Sequence, residues 1–296
     1  MKKYLTFLMA LATVISLTAC GAGGGTSGST TSNGSSSVGS SDDSSTSTGN
    51  TSEVALTAED LGTIWVGIDG SYPPFCYLND DNEVDGFEVA VMKEISARTG
   101  LDIQCQICAW SGMFGQLDSG RIDTVGESIT ITPEKEEDYI FSKSYITDSN
   151  RFMVRAGEES SISSFEDLEG KRIGVASGQT AYNQLLAIQE EYGVDFEIVP
   201  YETSTNANDV ALGRLDASYM NPIAGMTASN TGDLNLAVAD CPAYAADLCA
   251  YPFVKDSERA QLICEIFSET LTEMEEDGTL SELCVEWLGT DVSHVE

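Results

Sequence analysis

Basic residues are scarce in this sequence. Its 296 residues include 14 Lys and Arg against 48 Asp and Glu, a formal charge of −34. A nucleic-acid-binding surface needs the opposite balance, so that class is excluded. The acids are scattered through helical stretches such as EEDY and EMEED and read as a solvated face. Histidine is scarcer still: His294, in the tail, stands alone. A serine or cysteine nucleophile relying on histidine is left without its base, and a zinc set without its histidine pair. Hydrophobic runs are short as well. The N-terminal one, residues 4–17, has 14 positions, too few for a comfortable membrane span.

What is present begins with an address. Lys2 and Lys3, the apolar run and Leu17-Thr18-Ala19-Cys20 make residues 1–20 a secretion signal. LTAC resembles a lipobox, which implies that Cys20 becomes the lipid-bearing first mature residue. Of the 32 residues from 21 to 52, 28 are Gly, Ser, Thr or Asn. Such a tract buries too little to fold and reads as a tether with a relaxed reach of roughly 30 Å. A lipid at one terminus means anchored to a membrane, not spanning it.

The remaining 244 residues, Glu53–Glu296, suffice for two modest α/β domains. Strand patterns are expected at Ile64–Ile68, 101–108, 171–176 and 194–201, and helices at 206–214, 256–277 and 280–288. Asp85 as N-cap with Glu88 at N3 opens a helix whose stripe is Phe87, Val91 and Ile95 and whose end is Gly100. Thr279 with Glu282 forms a second capping box. GRID at residues 120–123 and GRLD at 213–216 each enter a strand, which suggests a similar α/β unit in each half.

Residues 127–145, ESITITPEKEEDYIFSKSY, concentrate the chemistry. Residues 129–132 alternate like a strand. Thr132 then caps a helix that has Pro133 at its first position. Lys135 opposes that helix's dipole, and a strand end, a helix N-terminus and a misplaced cation together suit a small anion. A surface lysine neutralised by its acidic neighbours is the equal alternative. Trp110 follows a strand end, where open α/β sheets bind ligands. Ser177-Gly178-Gln179-Thr180 brings free backbone N–H groups to a helix start.

SITITPEK followed by YIFSKSY, with GFEVAVMKEI and DGTLSELCVEWLG, resembles the family 3 extracellular solute-binding proteins, receptors of polar amino-acid ABC transporters. The resemblance covers residues 64–291. It implies a two-lobed periplasmic-binding-protein-like fold of type II with two crossing hinge strands. Residues 53–146 and 243–296 form one lobe and 147–242 the other. It further implies a monomer that closes on one small amino acid-like solute and passes it to a permease. Asp69 would face the distal end of the solute, Tyr72 and Phe75 the pocket wall, and Trp110 would stack on the solute. Ser128 and Thr130 lie in the signature itself. Lys135 stands where the family usually has a carboxylate-clamping arginine, and Asn221 where it commonly has an aspartate for the α-ammonium. Either Glu127 or Asp69 then takes the ammonium in a shifted pose, or the solute has no α-ammonium at all. An enzyme on the same scaffold, similar to cyclohexadienyl dehydratase, is the alternative, with Glu127 beside Lys135 as its acid–base pair.

Seven cysteines follow Cys20, an odd number for a fully paired secreted chain. Cys241 and Cys249 flank a short loop and are a candidate pair, while Cys264 and Cys284, on apolar helix faces, either bridge those helices or are buried thiols. Cys105 and Cys108 point to opposite faces of a strand and lack a second pair, so neither a metal nor another cofactor is expected.

Overall fold

The computed structural model describes residues 56–178, 180–202 and 205–293. Cys20 and the tether, Gln179 and His294 lie outside the described residues. Two sheets organise the chain. The first is parallel, in the order Ile103–Ile107, Ile64–Ile68, Thr124–Val125, with Val66 opposite both Cys105 and Thr124. The second runs Glu197–Tyr201, Arg172–Ala176, Ala217–Met220, Arg151–Arg155, Leu236–Val238. Its first three strands are parallel, and the last two join antiparallel.

The GRID and GRLD repeats occupy equivalent places, each leading into a strand that pairs parallel with the strand its aspartate bonds. Asp123 Oδ2 accepts the Trp65 N–H at 2.9 Å, and Asp216 Oδ2 accepts the Arg172 N–H at 2.7 Å. In both lobes the aspartate satisfies a backbone donor at the start of the neighbouring parallel strand. The repeated motif is therefore a repeated architectural joint.

The chain leaves the first sheet through Tyr139–Phe141 and Ile146–Asp148. It returns through Asp247–Cys249 and Pro252–Val254. The outgoing and return strands pair antiparallel, Ile146–Asp148 with Asp247–Cys249 and Tyr139–Phe141 with Pro252–Val254. The fold is thus two-lobed α/β with two chain segments running side by side between the lobes. Helices Glu258–Glu276 and Thr279–Leu288 pack on helix Phe87–Thr99 of the first lobe. Among the described residues no helix is long and apolar enough to cross a membrane.

Three local expectations are corrected. The Phe87–Thr99 helix is capped by Gly86, not Asp85. Phe87 and Glu88 donate their N–H groups to the carbonyls of Pro74 and Phe75 at 3.0 and 2.9 Å, so no side-chain cap is needed. That close approach requires glycine: at φ 117° a Cβ on Gly86 would lie 2.6 Å from the Phe75 carbonyl oxygen. Freed from capping, Glu88 turns into the core.

The second correction concerns Thr279. Gly278 in the left-handed region caps the last helix, while Thr279 donates its N–H and hydroxyl to Asp277 Oδ1. Third, the alternating residues 129–132 form no ladder strand. Ser128 breaks the extended run at φ 49°, leaving a single bridge from Thr130 to Cys249.

The Thr132 cap is as expected: its side chain accepts the Lys135 N–H at 3.3 Å, with Pro133 at the first helical position. The seven described cysteines are all free thiols.

Candidate functional site

Three parallel strands of the first sheet end at one cleft. Asp69 follows Ile64–Ile68, Trp110 follows Ile103–Ile107, and Glu127 to Thr130 follow Thr124–Val125. The carboxyl edge of such a sheet exposes loops whose backbone and side chains converge on the space beyond it. Gly178 and Thr180, after the second sheet's Arg172–Ala176, line the same cleft, as do Asp148 and Asn150 at the end of the outgoing strand. Its cavity volume is about 80 Å³.

Lys135 reaches across this space. Its Nζ donates to the Thr130 carbonyl at 2.8 Å and to the Thr180 hydroxyl at 3.4 Å, so one ammonium touches groups from both lobes. Burial lowers its pKa, with Asp247 among the charges that pull it back up. Two partly desolvated carboxyls, Glu127 and Asp148, line the same cleft, and a third, Asp247, shares an adjoining groove with Lys135. Glu127 is nearly buried, and its Oε1 accepts from the Asp69 N–H and from the Cys76 thiol at 2.9 Å. Burial first, then the charge of Asp69, raises the Glu127 pKa well above its ordinary value. Asp148 is raised to about 6, chiefly by burial, against hydrogen bonds from Ser149 and Asn221. Asp247 sits opposite Asp148 in the strand pair, and burial raises it too, although it accepts from Gln184 Nε2 at 2.7 Å. A cleft with one cation and an excess of partly desolvated carboxyls favours a solute that brings a positive group.

The walls are aromatic. Trp110 lies edge-on to Phe114 at 6.2 Å, and Phe114 leans on Tyr139 at 5.4 Å. Tyr72 also lines the cleft, stacked on Phe75 at 5.1 Å. Phe75 itself is fully buried behind Tyr72 and does not line the cleft. Ser177 lines an adjoining groove with Trp110, Phe114 and Glu202, its hydroxyl bonded to the Tyr201 carbonyl at 3.0 Å.

Asn221 lies beneath the cleft. Its Oδ1 accepts from Ile223 and Ala224 N–H at the start of helix Pro222–Gly232, and its Nδ2 donates to Asp148 Oδ1 at 2.5 Å. Asn221 therefore positions the carboxyl that does line the cleft. The structure thus gathers Asp69, Tyr72, Trp110, Glu127, Ser128, Thr130, Lys135 and Thr180, and leaves Phe75, Ser177 and Asn221 outside the first ring. Sequence reasoning missed Asp148, Asn150 and Phe114. The first two sit in YITDSN, where only pairing with a strand about a hundred residues later gives them a place.

Asp69, Cys76 and Glu127 bring an oxygen, a sulfur and an oxygen within 4.8 Å of one another, a donor set that a soft divalent cation can use. Here the thiol and the Asp69 N–H both already donate to Glu127 Oε1, so the cluster is self-satisfied.

The family described as bacterial extracellular solute-binding proteins, family 3, matches residues 64–290. The L-cystine-binding protein TcyJ of Escherichia coli (strain K12) is 32% identical over 235 residues, covering 79% of this chain and 86% of that protein. The putative amino-acid ABC transporter-binding protein PatH of Vibrio harveyi is 34% identical over 239 residues, 81% of this chain and 94% of its own length. A solved structure, the putative L-cystine ABC transporter from Listeria monocytogenes, superposes with a TM-score of 0.70 at 27% identity, covering 79% of this chain and 98% of that one. These relatives are named as transport proteins, not enzymes, and this chain is a binding protein like them. It belongs to the bacterial extracellular solute-binding proteins, family 3.

Proposed function

We propose that this protein is a lipid-anchored receptor that captures an amino acid or close derivative in the cleft by hinge closure and delivers it to an ABC permease. The observation that carries the solute class is the charge set of the cleft: one cation, Lys135, among three carboxyls, Asp69, Glu127 and Asp148. A zwitterion satisfies both sides at once, its carboxylate on Lys135 and Thr180 and its ammonium on the acids. A bare organic acid leaves the acids unpaired, which is costly in a desolvated site. Ser128 and Thr130 complete the wall. The lobes are taken as 53–146 with 243–296, and 147–242, with the paired crossing strands as the hinge. L-cystine is the first candidate, since two of the relatives carry it in their names. Glutamine and arginine come next.

The test is calorimetric titration of the mature protein with L-cystine, L-glutamine, L-arginine and a des-amino analogue of whichever binds. Tight binding of one L-amino acid with loss of affinity in its des-amino form is expected. Equal binding of the des-amino form would reverse the reading in favour of an organic-acid receptor.

Trp110 and Tyr72 both line the space the solute skeleton would fill. Aromatic stacking adds about 0.5–1.5 kcal/mol beyond the area buried, so Trp110→Ala should weaken binding by about tenfold or more. Unchanged affinity with intact circular dichroism would make Trp110 a packing residue.

The anchoring reading rests on LTAC at the end of the signal. Cys20→Ala should release the protein from the membrane fraction or leave its signal uncleaved. Unaltered lipid labelling and sedimentation of the variant would refute it.

A further inference from the structure

Glu88 is a buried carboxyl that solute capture, as set out above, leaves unused. It lies in the first turn of helix Phe87–Thr99 with no exposed surface. Four donors converge on it. Oε1 accepts from the Ser128 N–H at 2.8 Å, the Ser128 hydroxyl at 2.9 Å and the Tyr145 hydroxyl at 2.6 Å, and Oε2 accepts from the Tyr251 hydroxyl at 2.9 Å. Burial raises its pKa, and these same hydrogen bonds pull it back.

The donors come from three different parts of the chain. Ser128 is on the cleft wall beside Glu127, held at φ 49°, a backbone region that an L-residue keeps only when its surroundings insist. Tyr145 belongs to the outgoing crossing and Tyr251 to the return. Their rings stack at 4.4 Å and 7°, and each crossing bonds the other there, the Tyr251 N–H to Ser142 Oγ and the Ser142 N–H to the Tyr251 carbonyl, both at 3.0 Å. One carboxyl therefore holds the strained cleft residue and both crossings. A group this costly to bury is retained where its partners depend on it.

We propose that Glu88 is a positioning residue for solute capture: it ties Ser128 on the cleft wall to both inter-lobe crossings, so that the backbone beside Glu127 and the hinge respond together. This rests on the hinge reading above, but its test needs no solute.

The test is residue-resolved amide hydrogen exchange on the solute-free protein. Tyr251→Phe removes a single donor from Glu88 Oε2 and keeps the ring stack. Exchange at Ser128, whose N–H bonds the other oxygen, should quicken about tenfold, together with Tyr145, while amides of the five-stranded sheet keep their protection. Glu88→Gln retains the shape but loses the charge and should quicken the same sites further. Unchanged protection at Ser128 in Tyr251→Phe overturns the proposal. So does uniform acceleration through both sheets, the result expected of a contact that merely stabilises the fold. Should Glu88→Gln fail to fold, Tyr251→Phe decides alone. Should no amino acid bind the wild type, the solute reading falls while the exchange result still judges Glu88.

Discussion

Lys135→Met is expected to reduce affinity for the captured L-amino acid by at least about 30-fold, while Lys135→Arg retains most of it. Removing one partner of a buried, hydrogen-bonded charge pair costs about 2–5 kcal/mol, because the other charge is left desolvated and alone. Lys135 is the one cation among the residues that line the cleft. Its loss would leave the solute carboxylate with the Thr180 hydroxyl and backbone donors only. The solute-free protein should tolerate the change, since burial disfavours the charged amine and methionine fills a similar volume. Arginine restores the charge and adds a bidentate fork that a lysine lacks. The measurement is a set of calorimetric titrations beside melting curves without solute. A Met variant that binds as tightly as wild type would place the carboxylate elsewhere and leave Lys135 a bridge between Thr130 and Thr180 only.

Lys135 was legible because its signals are local: Thr132-Pro133 fixes a helix start, and a cation in that first turn is anomalous. The paired GRID and GRLD motifs were legible for a similar reason, since each repeats one joint between an aspartate and a neighbouring parallel strand. Glu88 was misread because an acid three residues after Asp85 satisfies the capping rule, and sequence does not reveal that Pro74 and Phe75 already supply the acceptors. Asn221 carried a signal that went unused. Asn-Pro is an N-cap followed by proline at the first helical position, the same grammar as Thr132-Pro133, and it commits the side chain to the backbone. Asp148 had no local signal at all. Its place depends on a strand pairing with residues 247–249, and long-range pairing leaves no periodic trace in the chain.

Asp148→Asn is expected to raise stability and destroy capture. Its carboxyl titrates at about 6 in the folded protein against an ordinary 3.8, mainly because burial disfavours the anion. Between those values the folded state holds a proton that the unfolded chain has lost, so stability falls as pH rises through this window. Above about pH 6 the full penalty applies, on the order of 2–3 kcal/mol at about 1.4 kcal/mol per unit. Asparagine removes the charge and keeps the Oδ1 that accepts from Ser149 and Asn221. The solute-free variant should therefore melt roughly 5 °C higher than wild type at pH 8 and no higher near pH 4. Binding should move the other way. An ammonium docked at Asp148 favours the ionised form, so capture releases a proton, and wild-type affinity should fall by up to about tenfold per unit as pH drops below about 6. In Asp148→Asn that pH dependence should weaken, leaving what Glu127 and Asp247 contribute, and affinity at pH 7.5 should fall at least about 30-fold, the loss expected when a buried charge loses its partner. Melting curves and titrations of both proteins from pH 4 to pH 8 read every term. A variant as unstable at pH 8 as wild type and as tight for the solute would remove Asp148 from the site. The opposite pair of shifts would mean that stability is given up at this carboxyl because the solute's positive group requires the charge.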